Sequence, residues 1–193
     1  MLDGSGNNHM SHYRRPWVAG AIYFFTVVTY RRQPILTRPP MRQALRKAMT
    51  LTAAERPFVT VAIVLLPDHL HCLWQLPEGD SDFATRWRLV KARVSRAVAA
   101  LGVGLADGGP SRARRREHTV WQRRFWEHMI RDDNDLRRHA DYIHYNPVKH
   151  GYVSRPDAWP YSTFAKFVRR GWYGPDWGAA EPETIAGWEA AGE

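Results

Sequence analysis

The sequence has little cysteine and no long uninterrupted hydrophobic run. Its one cysteine, Cys72, cannot form a disulfide within the chain, which favours a reducing compartment. The best apolar stretch, residues 19–30, ends at Arg31 and Arg32, short of the roughly 20 apolar residues that a membrane-spanning helix needs. Residues 1–12 have no basic segment followed by a small-residue cleavage site. We therefore expect a cytoplasmic protein without membrane association.

Basic residues are missing from the end of the chain. All 28 Lys and Arg lie at or before Arg170, and the acidic residues beyond it are Asp176, Glu181, Glu183, Glu189 and Glu193. The net charge of +9 therefore comes from a basic body, which favours an anionic partner such as nucleic acid. The acidic tail is either a solvated terminus or a competitor for phosphate that folds over the nucleic-acid groove. In the second case, truncation after Arg170 would raise the affinity for DNA.

The remaining composition is typical of one folded domain. Of the 193 residues, 44% are hydrophobic and 12% aromatic, which is outside the range of disordered chains. We expect residues 1–12 to be a flexible leader, residues 13–170 to form the domain and residues 171–193 to be the acidic tail. The Gly- and Arg-rich stretch 102–116 is predicted to be a basic loop, either solvated or in contact with DNA.

Hydrophobic patterning predicts an α+β domain. The predicted strands are 19–29, 58–66 and 70–76, and the predicted helices are 41–49, 82–101, 121–129 and 135–145. The second and third strands are joined by Pro67 and Asp68 and should form an antiparallel hairpin. Pro147 is expected to end the last helix.

A His-x-His pattern begins the second hairpin strand. His69 and His71 are two residues apart, so they project from one face of the strand and can reach one metal ion. The residues between and after them, Leu70, Cys72 and Trp74, should point into the core. The pattern alone also occurs in strands that bind no metal.

A second group of candidate residues lies on the last predicted helix. Tyr142 and Asn146 are four residues apart and share one helical face, so a nucleophile and an amide ligand could face the same ion. Tyrosine has a reference pKa near 10 and attacks poorly unless a base or cation favours the phenolate or polarises its target. Attack on a phosphodiester would give a covalent phosphotyrosine and a free hydroxyl. Alternatively, Tyr142 is a packing aromatic, or Tyr145 is the nucleophile.

With these residues in place, the sequence resembles the single-tyrosine HUH transposases, most closely the branch of REP-associated tyrosine transposases. The resemblance spans most of the chain. Its segments are Tyr13-Arg14-Arg15, 23–27 (YFFTV), 66–74 (LPDHLHCLW), 76–80 (LPEGD), 121–122 (WQ), 124–128 (RFWEH), 141–143 (DYI), 146–151 (NPVKHG) and 159–164 (WPYSTF). So many ordered matches make a chance similarity improbable. The stretch 102–116 is longer than is usual in the family.

The resemblance implies a ferredoxin-like core whose antiparallel sheet carries the histidine pair beside the tyrosine helix. It implies that His69 and His71 are metal ligands, Asn146 is the third ligand and Tyr142 is the nucleophile. Family members use Mg²⁺ or Mn²⁺ and form a 5′-phosphotyrosine with a free 3′-hydroxyl. Because imidazoles suit transition metals better than Mg²⁺, Mn²⁺ satisfies both arguments.

The resemblance also implies a DNA partner, namely repetitive extragenic palindromes that fold as hairpins after a short tetranucleotide. Unpaired bases could be bound by Tyr13, Arg14 and Arg15. The hairpin backbone could be bound by a basic helix face, whose alternative role is simple solvation: Arg86, Arg88, Lys91, Arg93 and Arg96. Three further histidines are expected to be helix-surface or packing residues, with a role as proton donors or phosphate contacts as the alternative: His139, His144 and His150.

Three functions fit these observations. The first is nicking and joining of hairpin DNA by a domesticated, monomeric transposase. The second is an active insertion-sequence transposase, which shares the chemistry but acts as a dimer that exchanges tyrosine helices. The third is a regulator that binds hairpin DNA or RNA without cutting it, although the presence of both histidines, Tyr142 and Asn146 argues for cleavage. A structural zinc protein lacks a closed set of four ligands.

Overall fold

One four-stranded sheet organises the protein. The computed structural model describes residues 20–101, 114, 119–174 and 176–188. The strands are β1 (Ile22–Val28), β2 (Val59–Leu65), β3 (His69–Gln75) and β4 (Trp126–Met129), all antiparallel to their neighbours in the order β2-β3-β1-β4. The described helices are α1 (Pro39–Glu55), α2 (Phe83–Ala100), α3 (Asp133–Lys149) and α4 (Phe164–Arg169). Two short 3₁₀ helices are Tyr30–Arg32 and Pro156–Ala158.

The predicted ferredoxin-like fold is confirmed. The chain order β1-α1-β2-β3-α2-β4 places β1 and β3 at the centre of the sheet, as in the split βαβ arrangement. Helices α1 and α2 pack on one face, whereas α3 and α4 pack on the other. The predicted hairpin of β2 and β3 is also present. Of the helices described, none combines the length and the hydrophobicity that crossing a bilayer requires.

Strand β3 separates the two faces residue by residue. Leu70, Cys72 and Trp74 pack with α1 and α2, which confirms their predicted place in the core. Leu73 packs with α3 on the opposite face. Because side chains alternate along a strand, His69 and His71 share that second face with Leu73. The histidine pair is thus directed toward the tyrosine helix by the pleat alone.

Two sequence predictions about elements were wrong. Residues 121–129 were expected to be a helix, but β4 occupies the end of this stretch and pairs with β1 through Tyr23 and Met129. Pro147 was expected to end α3, but the helix continues to Lys149. So near the end of a helix, a proline removes only one hydrogen bond. The helix ends instead just before Gly151, whose φ of +70° suits a residue without a side chain.

Candidate active site

The two histidines on β3 are buried and oriented by neighbouring side chains. Their ring centroids are 4.9 Å apart, and each residue is at most 1% exposed. His69 Nδ1 lies 2.7 Å from Asp68 Oδ1, and His71 Nδ1 lies 3.0 Å from Thr26 Oγ1. Thr26 pairs directly with His71 across β1 and β3. Such partners fix the rotation of an imidazole.

The surroundings of His69 fit a bound cation. Its Nε2 is buried and has no hydrogen-bond partner among the described residues. A buried polar atom in this state costs about 1–3 kcal/mol, which coordination would offset. Burial raises the pKa of Asp68, but hydrogen bonds from His69 and Arg32 outweigh it and hold the pKa at about 2. Asp68 is therefore an anionic partner for the Nδ1 side of the ring.

Helix α3 brings Tyr142 against the histidine pair. The ring centroids of Tyr142 and His71 are 5.3 Å apart, at an interplanar angle of 68°. Asn146 lies one turn later on α3 and is completely buried. The ammonium nitrogen of Lys149 lies 5.0 Å from the centroid of the Tyr142 ring. The ammonium group thus faces the ring of Tyr142 as a cation–π contact.

The tyrosine is covered by the end of the chain. Tyr142 is 1% exposed, and the ring of Trp188 meets it edge to face at 5.2 Å. The competing nucleophile Tyr145 is only partly buried. Burial and the charge of Glu181 raise the pKa of Tyr145, which disfavours its phenolate. This shift in pKa counts against Tyr145 as a nucleophile.

Residues of the predicted tail also bind helix α3 next to Tyr142. Asp141 accepts hydrogen bonds from the hydroxyls of Tyr173 (3.0 Å) and Thr184 (2.6 Å). Ile185 and Tyr173 are buried in the cluster that contains Tyr142. Part of the segment after Arg170 is thus packed against α3.

A second metal-capable cluster was missed by the sequence analysis. The candidate ligand atoms of His128, Asp135 and His139 all lie within 4.8 Å of one another. His128 Nε2 is 2.7 Å from Asp135 Oδ2, so hydrogen bonding already stabilises the group. Burial lowers the pKa of His139 to about 4. The four-residue spacing of Asp135 and His139 on one helix was the signal that could have revealed this cluster.

The other predicted histidines differ in environment. His144 is completely buried, and its two ring nitrogens lie 2.9 Å from the Tyr173 hydroxyl and the Thr163 hydroxyl. Burial lowers the pKa of His144 to about 3. His139 and His144 are therefore packing residues and not surface residues. His150 is exposed and its ring centroid is 5.3 Å from that of His69.

The structure corrects one predicted DNA contact. Arg86 is completely buried, and its guanidinium donates to both carboxylate oxygens of Asp80 at 2.9 and 2.6 Å and to the carbonyl of Pro57 at 2.8 Å. A side chain so placed stabilises the fold and has no surface for phosphate. Tyr13, Arg14 and Arg15 lie outside the described residues.

The rest of the basic face of α2 is partly used within the protein. Lys91 donates to the carbonyls of Gln122 and Arg123, and Arg93 pairs with Glu55. Arg88 and Arg96 are exposed. Because α2 packs on the sheet face opposite α3, these cations are not beside the histidine pair.

A ferredoxin-like sheet that carries a buried histidine pair against a tyrosine helix is the architecture of the single-tyrosine HUH class. No family model matches the chain. The chain is 44% identical to the REP-associated tyrosine transposase of Escherichia coli (strain K12) over 179 residues, which cover 92% of this chain and 97% of the relative. A Haemophilus influenzae relative is also 44% identical, over 178 residues.

A solved structure of a REP-associated tyrosine transposase bound to a REP hairpin superimposes with a TM-score of 0.72. It is 42% identical in sequence, and the match covers 91% of this chain and 96% of that one. Identity at this level over nearly the whole length establishes the family. The chain belongs to the REP-associated tyrosine transposases.

Proposed function

We propose that this chain cuts and rejoins single-stranded DNA beside a REP-type hairpin, with Tyr142 as the nucleophile. The observation that carries the proposal is the position of Tyr142, packed against His71 on the same face of the sheet as His69. A nucleophile within reach of a cation site is what phosphodiester transfer to a phenol requires.

In the proposed reaction the phenol oxygen of Tyr142 attacks the scissile phosphorus. A bond forms between that oxygen and phosphorus as the bond from phosphorus to the 3′ oxygen breaks, which leaves a 5′-phosphotyrosine. The phenol loses its proton and the departing 3′ oxygen gains one, so the freed end is a hydroxyl. One phosphodiester replaces another, and attack by a 3′-hydroxyl on the phosphotyrosine rejoins the strand without an added energy source.

The residues that would hold a divalent cation are His69, His71 and Asn146. Such an ion would stabilise the charge that develops on the phosphate oxygens during transfer. Asp68 and Thr26 orient the two imidazoles before DNA binds. The two nitrogen ligands favour Mn²⁺ over Mg²⁺, although both fit the family.

The proposed substrate follows from the relatives and from charge. The related transposase was solved with a REP hairpin, and the basic body of this chain suits the same kind of ligand. Among the residues predicted to bind the hairpin backbone, exposed Arg88 and Arg96 support the proposal best. Tyr13, Arg14 and Arg15 stay predictions for the unpaired bases.

One observation favours a second candidate function. Trp188 and the surrounding core leave Tyr142 only 1% exposed, as expected of a hairpin-binding regulator that does not cut DNA. Cleavage requires the phenol to become accessible.

Covalent trapping distinguishes the two candidates. The protein is incubated with Mn²⁺ and a labelled hairpin oligonucleotide with single-stranded extensions, then separated under denaturing conditions. We expect a labelled protein adduct that is absent in Tyr142→Phe and present in the matched variant Tyr145→Phe. If wild-type protein binds the hairpin but forms no adduct with any divalent ion, the regulator is the better description.

A further inference from the structure

A row of aromatic rings runs from the histidine pair across the protein surface. The ring centroids of His69 and His150 are 5.3 Å apart, and those of His150 and Tyr152 are 6.0 Å apart. Tyr152 stacks on Trp159 at 5.4 Å, and Trp159 meets Tyr161 edge to face, also at 5.4 Å. We call the four residues from His150 to Tyr161 the aromatic track. It connects the candidate active site to a distant part of the surface.

The track ends at a groove between α1 and β2. The groove has a volume of about 510 Å³, and Tyr161 is one of its walls. Its apolar lining residues are Leu45, Met49, Ile63, Leu65 and Pro160. Two cations, Arg42 and Arg46, line the same groove. An apolar lining with cations beside it suits a ligand that has a flat, weakly polar ring and a negative charge.

Two rings of the track, those of Trp159 and Tyr161, are held in place by hydrogen bonds. Trp159 donates its indole N–H to the carbonyl of Leu65 at 3.1 Å. Arg42 donates to the Tyr161 hydroxyl at 3.0 Å, and its guanidinium carbon lies 4.5 Å from the centre of that ring. His150 is exposed and Tyr152 is 44% exposed, so bases can reach them. Fixed rings bind with little loss of side-chain entropy.

We propose that the aromatic track and its groove bind the single-stranded DNA that joins the hairpin to the scissile phosphate. Unpaired bases stack on Tyr152 and its neighbours, one base enters the groove, and Arg42 and Arg46 contact its phosphates. Only unpaired bases can use these rings, because a duplex hides its base faces within its own stack. This inference rests on the proposed function and adds the path of the strand to it.

Stacking predicts a specific pattern of binding. Fluorescence anisotropy is measured with a blunt hairpin, with the same hairpin bearing a single-stranded extension at its 5′ or its 3′ end, and with abasic versions of each extension. One normal extension should tighten binding to wild-type protein, and its abasic version should not. Tyr152→Ala should weaken binding to the extended hairpin by about tenfold and leave binding to the blunt hairpin unchanged.

Arg46→Ala tests the far end of the path, and Trp172→Ala is the matched control. Trp172 is 60% exposed and lies outside the track, so Trp172→Ala should change neither the affinity for the blunt hairpin nor that for the extended hairpin. Arg46→Ala should reduce the advantage of the extension and its dependence on salt. Equal losses for blunt and extended hairpins in Tyr152→Ala, or no loss for either, would overturn the track.

Failure of the proposed function gives a different result. If wild-type protein does not bind even the blunt hairpin, the hairpin substrate itself is wrong. If it binds the blunt hairpin and forms the Tyr142 adduct but gains nothing from either extension, the proposed function stands and the track is refuted. An extension that helps equally with and without its bases would also refute the track, because contacts to phosphates alone would then explain binding.

Discussion

At the residue scale, two buried histidines tie stability to pH. Burial lowers the pKa of His139 to about 4 and that of His144 to about 3, from an ordinary value of 6.5. Below pH 6.5 the unfolded chain therefore binds protons that the folded protein does not. The contribution of these histidines to the free energy of unfolding is therefore fully present above pH 6.5 and decreases as the pH falls.

We expect the free energy of unfolding to decrease by roughly 1.4 kcal/mol per pH unit for each of the two histidines between pH 6.5 and about 4. Denaturant titrations at a series of pH values measure this slope. His144→Gln removes one of the two groups and should make the slope shallower, whatever it does to stability at pH 7. An unchanged slope in this variant would show that His144 is not held neutral.

The sequence was most informative where chemistry has a fixed spacing. The two-residue spacing of His69 and His71 on a strand predicted a shared face, and the structure has it. Arg86 could not be predicted in this way, because helical periodicity placed it among the polar residues of α2. Its partner Asp80 lies in the preceding loop, and the carbonyl of Pro57 comes from another part of the chain. Contacts with residues outside α2 cannot be predicted from the spacing of residues within it.

At the element scale, helix α2 has one buried arginine, Arg86, that stabilises the fold and an exposed one, Arg88, on its surface. Arg86→Met should lower the free energy of unfolding by about 1–3 kcal/mol, because it removes the guanidinium donors of the Pro57 carbonyl and of the partly exposed Asp80 carboxylate. Arg88→Met should leave stability unchanged and weaken hairpin binding in a salt-dependent way. Thermal or denaturant unfolding and anisotropy measure the two effects.

The opposite assignment would be evident in the same experiments. If Arg86→Met kept its stability and lost DNA affinity, the assignment of Arg86 to the fold would be wrong.

Strand β4 shows in a similar way why a sequence pattern can predict the wrong element. Trp121, Phe125 and Met129 recur every four residues, which indicates a helix, yet pairing with β1 satisfies the backbone of residues 126–129 as a strand. Pairing with an open sheet edge outweighs the helical periodicity of the sequence, and that edge exists only in the folded protein.

At the scale of the whole molecule, Trp188 of the acidic tail covers Tyr142, the proposed nucleophile. Trp188 contacts both Tyr142 at 5.2 Å and His139 at 4.9 Å. An aromatic pair of this kind contributes about 0.5–1.5 kcal/mol. Trp188→Ala should therefore speed adduct formation by roughly 2- to 10-fold, as measured by single-turnover trapping with Mn²⁺.

Trp172 of the same tail provides the control, because its ring is 60% exposed and contacts Phe167, and Trp172→Ala should not change the rate. A slower reaction in Trp188→Ala would mean that the indole positions the phenol for attack. Truncation after Arg170 is a less specific test of the predicted competition with DNA, because it also removes Tyr173 and Ile185 from the core. Neutralising exposed Glu181 and Glu183 tests the role of tail charge without this loss.

The hydrogen bonds to Asp141 have a practical consequence for the design of expression vectors. Asp141 directly precedes Tyr142, and the hydroxyls of Tyr173 and Thr184 bind it from the last part of the chain. A fusion partner or affinity tag attached a few positions after Trp188 would begin close in sequence to an indole that meets the ring of Tyr142 edge to face at 5.2 Å. We therefore expect a tag at this position to change the surroundings of Tyr142, the proposed nucleophile.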